Sequence, residues 1–245
     1  EEDKLTLFVE WLLANRLQVG LGVVIALVIG AYLTLQKTEA LAKEEEAAEE
    51  MWGVIFPDVE VAGMSTNQPM VVQLDNISKK HTGTKAAANA QFLAASEFFD
   101  QGKYTEAAAA FTLYLGITSG GPLAAAAQFG LAASQDALGQ KEKAQKGYEQ
   151  IITQHVNAPE ALQARVAWAK LLLVNSTPEG TDKARALLLA ASQESQSARI
   201  PGFWGREAQR MLAPLQAEGE EGDNSEKEKS QKAEEKKPAV EPSSE

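Results

Sequence analysis

The chain has 245 residues, no cysteine, two histidines and a formal net charge of −11. Neutralising phosphates takes clustered Lys and Arg, so this balance argues against a nucleic-acid partner. Without thiols there can be no disulfide, thiolate metal site, cysteine nucleophile or lipidated N-terminal cysteine, though the compartment stays open.

Residues 1–16 are expected to form a short amphipathic helix lying in a membrane interface. Leu5, Phe8, Val9, Leu12 and Leu13 fall at helical spacing, Trp11 lies on the flank, and Asn15-Arg16 makes the break. Residues 17–36 are predicted to be a transmembrane helix. Positions 17–35 read LQVGLGVVIALVIGAYLTL with no charge, and at 1.5 Å per residue they span about 28 Å, close to a bilayer's hydrocarbon thickness. The competing reading is a cleaved signal peptide, which predicts a shorter apolar core, a basic start and a small-x-small cleavage site. Here the start is Glu1-Glu2-Asp3-Lys4 and no Ala-x-Ala follows. Gly22, Ala26 and Gly30 lie four apart on one face, where a helix from a second copy of the chain or from a partner could approach closely. Lys4 and Arg16 before the span balance Lys37 and Lys43 after it. Charge therefore gives no orientation, and only the short leading tail suggests that the large domain lies across the membrane.

Residues 37–69 read as a helical stalk and an irregular linker. Helix formers dominate 38–54, and Met51, Trp52, Ile55 and Phe56 are expected to dock its end on the following domain. The acidic run Glu44, Glu45, Glu46, Glu49 and Glu50 reads as a solvated face rather than a cation site. Thr66 or Asn67 is placed to cap the next helix, with Pro69 in its first turn.

Residues 70–215 form the predicted folded domain, and it repeats. Ala87, Ala88, Ala90, Gln91, Phe92, Ala95, Gly102 and Ala107 recur 37 positions on as Ala124, Ala125, Ala127, Gln128, Phe129, Ala132, Gly139 and Ala144, while Phe111 recurs as Tyr148. Such a period marks a solenoid of helix pairs. The helix at 70–81 fits the same register as a half-repeat, with Met70, Leu74 and Ile77 on Ala107, Phe111 and Tyr114. Two pairs follow, 86–100 with 104–118 and 123–138 with 141–155. A third starts with Ala164, Val166 and Ala169, and its longer turn is expected to hold Pro178 and Gly180. A helix at 204–215 is expected to close the end, since terminal repeats otherwise leave a bare face. The predicted class is all-α. Residues 216–245 hold ten acidic and five basic residues with few aliphatics, and are expected to be a disordered acidic tail.

The run Gly102-x-Tyr104-x-x-Ala107-x-x-x-Phe111 resembles the tetratricopeptide repeat (TPR), although Gln91 and Gln128 stand where that repeat expects tryptophan. With the Phe8-Val9-Glu10-Trp11-Leu12 segment and the Gly-rich span, the whole plan resembles the ancillary subunit of the bacterial SecYEG translocon. That resemblance implies an inner-membrane protein with its TPR domain in the periplasm, handling exported polypeptides or periplasmic chaperones. A structural tether in an envelope or division complex is the alternative.

No chemistry is expected. His81 and His155 fall at helix ends without metal-site spacing, and Ser119-Gly120-Gly121-Pro122 lacks the lysine of a phosphate loop. No catalytic residue, metal or cofactor is therefore predicted. In a TPR array the first helices line the inner face, which here gives a row of Phe92, Phe129 and Val166. Asn89, Ser96, Phe99, Asp100, Asp136, Gln163 and Lys170 surround it, and the row suggests capture of apolar peptide segments.

Overall fold

The computed structural model describes residues 6, 11, 15–56, 68–118, 120–174, 177–197 and 202–217. The interfacial helix expected over 1–16 (Thr6, Trp11 and 15–16 apart), the Thr66 or Asn67 cap and the tail from 218 onward lie outside the described residues. Among those described, every regular element is α-helical. They are α1 (Arg16–Ile55), α2 (Met70–Lys80), α3 (Lys85–Asp100), α4 (Tyr104–Ile117), α5 (Ala124–Ala137), α6 (Lys141–Gln154), α7 (Pro159–Val174), α8 (Pro178–Ser197) and α9 (203–217). Two compact units divide the chain within α3, one ending at Ala94 and the other starting at Ala95.

In the first unit α1 packs on α2. Its 40 residues make a rod of about 60 Å. Among the described helices it alone is long and apolar enough to cross a membrane, and none of that apolar stretch is buried in protein. Its far end does meet protein, but not through the two aromatic residues expected to dock there. Ala47 and Val54 are buried, whereas Trp52 and Phe56 remain about half exposed and stack on each other with ring centroids 5.0 Å apart. An i, i+4 aromatic pair can satisfy itself on a helix surface, while Met51 and Ile55 are half-buried.

The second unit shows why a 37-residue period folds into hairpins. Gly102 and Gly139 end α3 and α5 at φ of 72° and 73°. Each turn closes with the same two bonds: Gly102 N–H to Phe99 O (2.9 Å) and Lys103 N–H to Phe98 O (2.9 Å), then Gly139 N–H to Asp136 O (2.8 Å) and Gln140 N–H to Gln135 O (2.8 Å). This pattern satisfies carbonyls that a helix end leaves open, and glycine adopts the required conformation without strain. Ala95, Ala107, Ala132 and Ala144 are fully buried, so helix axes approach closely there, while Phe111 and Tyr148 fill the gaps. Successive helices from α4 to α8 pack in order, and α5 also meets α7.

Pro178 and Gly180 are not in the turn where they were expected. Thr177 Oγ1 accepts from the Gly180 N–H at 3.1 Å, so Thr177 caps α8 and Pro178 is its first residue. Proline is tolerated there because its absent N–H has no partner to lose. α9 closes the far end: Ala208, Leu212 and Leu215 share a core with Val166, Ala169, Ala184, Leu188 and Ala191. The Arg185 guanidinium donates to Leu215 O at 3.1 Å, and Gly205 lies so close to Ser195 that a β-carbon would collide with it.

Candidate functional site

Phe92 and Phe129 are half-buried on α3 and α5. The Phe129 ring leans on Tyr148 with centroids 5.9 Å apart, and the Phe99 ring meets Tyr104 edge-on at 5.2 Å. Val166, the third member of the expected row, is fully buried in the core beside Ala169 and Leu188. It therefore contributes to packing and not to an open surface. Asn89, Ser96 and Gln163 are half-buried, and Asp100 is exposed. Burial pushes the Asp136 carboxyl up from its ordinary value, with Lys141 pulling weakly the other way. Lys170 is bound to Glu207 at 3.1 Å, and Glu207 also takes Arg210 at 2.6 Å. The Lys170 and Arg210 bonds hold the Glu207 carboxyl below its ordinary value. Gly22, Ala26 and Gly30 sit on the exposed part of α1, with open space around both glycines.

Two constellations escaped the sequence reading. The first joins α1 to the start of the repeats. Glu44 accepts the Lys85 and Ala86 backbone N–H groups at 2.7 and 2.8 Å, capping α3 from 41 residues away in sequence. Thr84 Oγ1 takes a third, the Ala87 N–H, at 3.0 Å. Glu50 pairs with Lys80 and lies 3.0 Å from His81 Nε2, and Glu46 adds a second contact to Lys80 at 3.2 Å. Burial alone would raise the Glu50 carboxyl, but hydrogen bonds from Lys80 and His81 outweigh it and hold the group below its ordinary value. Part of the acidic run is thus a latch rather than a solvated face. His81 does end α2 as expected, with its imidazole buried against Glu50. The only sequence signal was the four-residue spacing of Glu46 and Glu50, which puts both on one face of α1.

Among the described residues, Glu46, Glu50 and His81 also offer three ligand-type atoms within 4.8 Å of one another. The Lys80 ammonium already contacts both carboxylates, and His81 Nε2 lies against Glu50, so the arrangement is that of an ion-pair cluster.

The second constellation is a cavity of about 270 Å³ between α5 and α6, with Leu115 from α4 on its rim. Gln128, Gln135, Gln150, Lys143 and Lys146 are among the residues that line it. No nucleophile–base pair accompanies them, so the arrangement can hold a ligand by hydrogen bonds and charge.

No family model matches the chain, and no curated protein matches it. Among solved structures it is similar to a Podosopora anserina protein with nearly identical TPR-like repeats, named for a kinesin light chain. That match has 17% identity and a TM-score of 0.50, covering 80% of this chain and 93% of the other. PcrH, solved with the chaperone-binding region of PopD, matches at 19% identity and TM-score 0.47 over 56% of this chain and 97% of its own. The Yersinia enterocolitica type III secretion translocator chaperone SycD matches at 19% and 0.45, over 59% and 96%. At these identities the likeness is one of fold: TPR-like helical repeats.

Proposed function

We propose that the chain is a non-enzymatic, single-span membrane protein whose TPR-like repeats bind protein segments. On this reading it sits at the export translocon of a bacterial inner membrane, with the repeats in the periplasm receiving exported polypeptides or chaperones. The observation that carries the proposal is α1. Its apolar half has no protein around it, while its polar half is latched by Glu44 and Glu50 onto the helices that begin the repeats. A helix of about 60 Å is twice the hydrocarbon thickness, which leaves room for both roles. TPR-like arrays present extended surfaces suited to partners, which supports binding over catalysis. Gly22, Ala26 and Gly30 would face a translocon helix or a second copy.

Crosslinking in intact membranes tests this, with photoreactive residues beside Phe92 and Phe129. Translocon subunits and nascent chains are expected among the products. A single stable envelope partner would favour the tether, and release of the chain by alkaline carbonate would overturn the anchor. The Phe92→Ser/Phe129→Ser double variant should lose these products yet stay folded, its melting temperature falling only by what the Phe129–Tyr148 contact contributes. Buried structural phenylalanines would instead cost about 3–5 kcal/mol each on truncation.

A further inference from the structure

Two helices of the second unit pack alike but show water different faces. α4 and α6 both pack on α5 and bury the same register positions, Ala107 with Phe111 and Ala144 with Tyr148. On the open side of α6, Lys146, Glu149, Gln150, Thr153 and Gln154 are exposed and polar, as a helix facing water should be. Their counterparts 37 positions earlier on α4 are Ala109, Thr112, Leu113, Gly116 and Ile117, all exposed as well. Leu113 is 50% exposed and Ile117 47%. The register accepts Gln150 and Gln154 in their places one repeat later, and Asn76 and Lys80 in the half-repeat before. Packing within the chain therefore does not require Leu113 or Ile117. A helix that is apolar on every side is a helix with a further partner.

The face is its own complement. Ala109, Leu113 and Ile117 form a row four residues apart, the ridge most used when helices pack. A twofold axis beside Leu113, with two copies of α4 antiparallel, sets Leu113 against its own copy. The same operation lays each Ile117 over the Ala109 of the other copy, a large side chain on a small one. Charge favours this pairing. The chain carries a net charge of −11, so most of its faces repel a second copy. On α4 the only charged residue is Glu106, and in this register it lies past the second copy's Ile117, where that helix has ended. Area sets the condition. The 14 residues of α4 make a face about 21 Å long and about 10 Å wide. Two such faces bury about 400 Å², below the roughly 1,200 Å² of a stable interface in free solution. Copies anchored in one membrane by α1 are held close together, which makes up for a small contact.

We infer that the outer face of α4 is a contact between two copies of this chain in the membrane, α4 packing antiparallel on α4 with Leu113 at the centre and Ile117 against Ala109. This rests on the membrane anchor of the proposed function, but not on the translocon or on the Phe92–Phe129 surface.

The chain has no cysteine, so Thr112→Cys supplies a single thiol beside the axis. The full chain is reconstituted into liposomes and treated with a short bismaleimide. Glu149→Cys, at the equivalent position on α6, is the control. Thr112→Cys is expected to give at least tenfold more crosslinked dimer than Glu149→Cys. Adding Leu113→Gln and Ile117→Gln, the residues that α6 carries at those positions, should cut the yield tenfold or more with the helical signal unchanged. Equal yields from the two sites, or a yield that survives the added substitutions, would overturn the contact. Survival that ends only with Gly22→Leu/Gly30→Leu would place the association in α1 instead. In native membranes, a crosslink from Thr112→Cys to a different polypeptide in place of the dimer would also overturn it and give the face to a partner's helix. A chain that floats with the liposomes yet gives no dimer sinks the contact alone, whereas a chain that fails to float sinks the anchor and the contact together.

Discussion

Gly130→Ala should destabilise the repeats although alanine is the better helix former. Gly130 lies inside α5, and a β-carbon built there meets the Phe111 ring, with Cε1 at 2.8 Å, Cε2 at 2.5 Å and Cζ closer still. Carbon contacts settle near 3.5 Å, so the ring would have to move by about 1 Å. It has nowhere to go, because Phe111 is 3% exposed. Overpacking of this kind costs about 1–3 kcal/mol, and three ring atoms in violation put the value near the top of that range. The helix-propensity gain returns only about 1 kcal/mol, leaving a net loss of about 2 kcal/mol. For a domain of this size that lowers the melting temperature by about 4–8 °C. Thermal melts of the full chain in detergent micelles, followed by circular dichroism, measure it. Gly116→Ala is the control, since open space surrounds Gly116 on α4, and it should melt at or slightly above the parent. The repeat register supplies a rescue. Where this pair is Phe111 with Gly130, the equivalent positions one repeat earlier hold Leu74 and Leu93. Phe111→Leu should therefore recover most of what Gly130→Ala loses. A Gly130→Ala chain as stable as the parent, or no recovery in the double variant, would refute the argument.

Two further expectations concern the latch. Glu44→Ala removes an acceptor from two N–H groups at the start of α3; losing a cap costs about 0.5–2 kcal/mol, and amide exchange at Lys85 and Ala86 should quicken. The Glu50 carboxyl is held below its ordinary 4.5 in the folded chain, so its contribution is fully present above that value. It is lost as pH falls below 4.5 through the depressed folded value. Glu50→Gln should flatten that part of a stability-versus-pH profile, and an unchanged profile would show that the latch carries no linkage.

Much of this protein was legible in its residues because the repeat is local. Alanine at four recurring sites, glycine at the helix ends and a ring between pairs all act within one hairpin or its neighbour, so a 37-residue period carries them. The predicted half-repeat, the pairs 86–100 with 104–118 and 123–138 with 141–155, and the closing helix all correspond to observed helices. What tertiary structure decided are matters of distance along the chain. Nothing local says that Glu44 reaches α3 or that Glu50 meets His81, since those contacts depend on how α1 turns against α2. Nor does helical spacing say that Trp52 faces outward while Ala47 and Val54 face inward, because both faces of that stretch are apolar enough to dock. Val166 shows the same limit: it keeps the register of Phe92 and Phe129, yet α8 and α9 bury it at the end of the array.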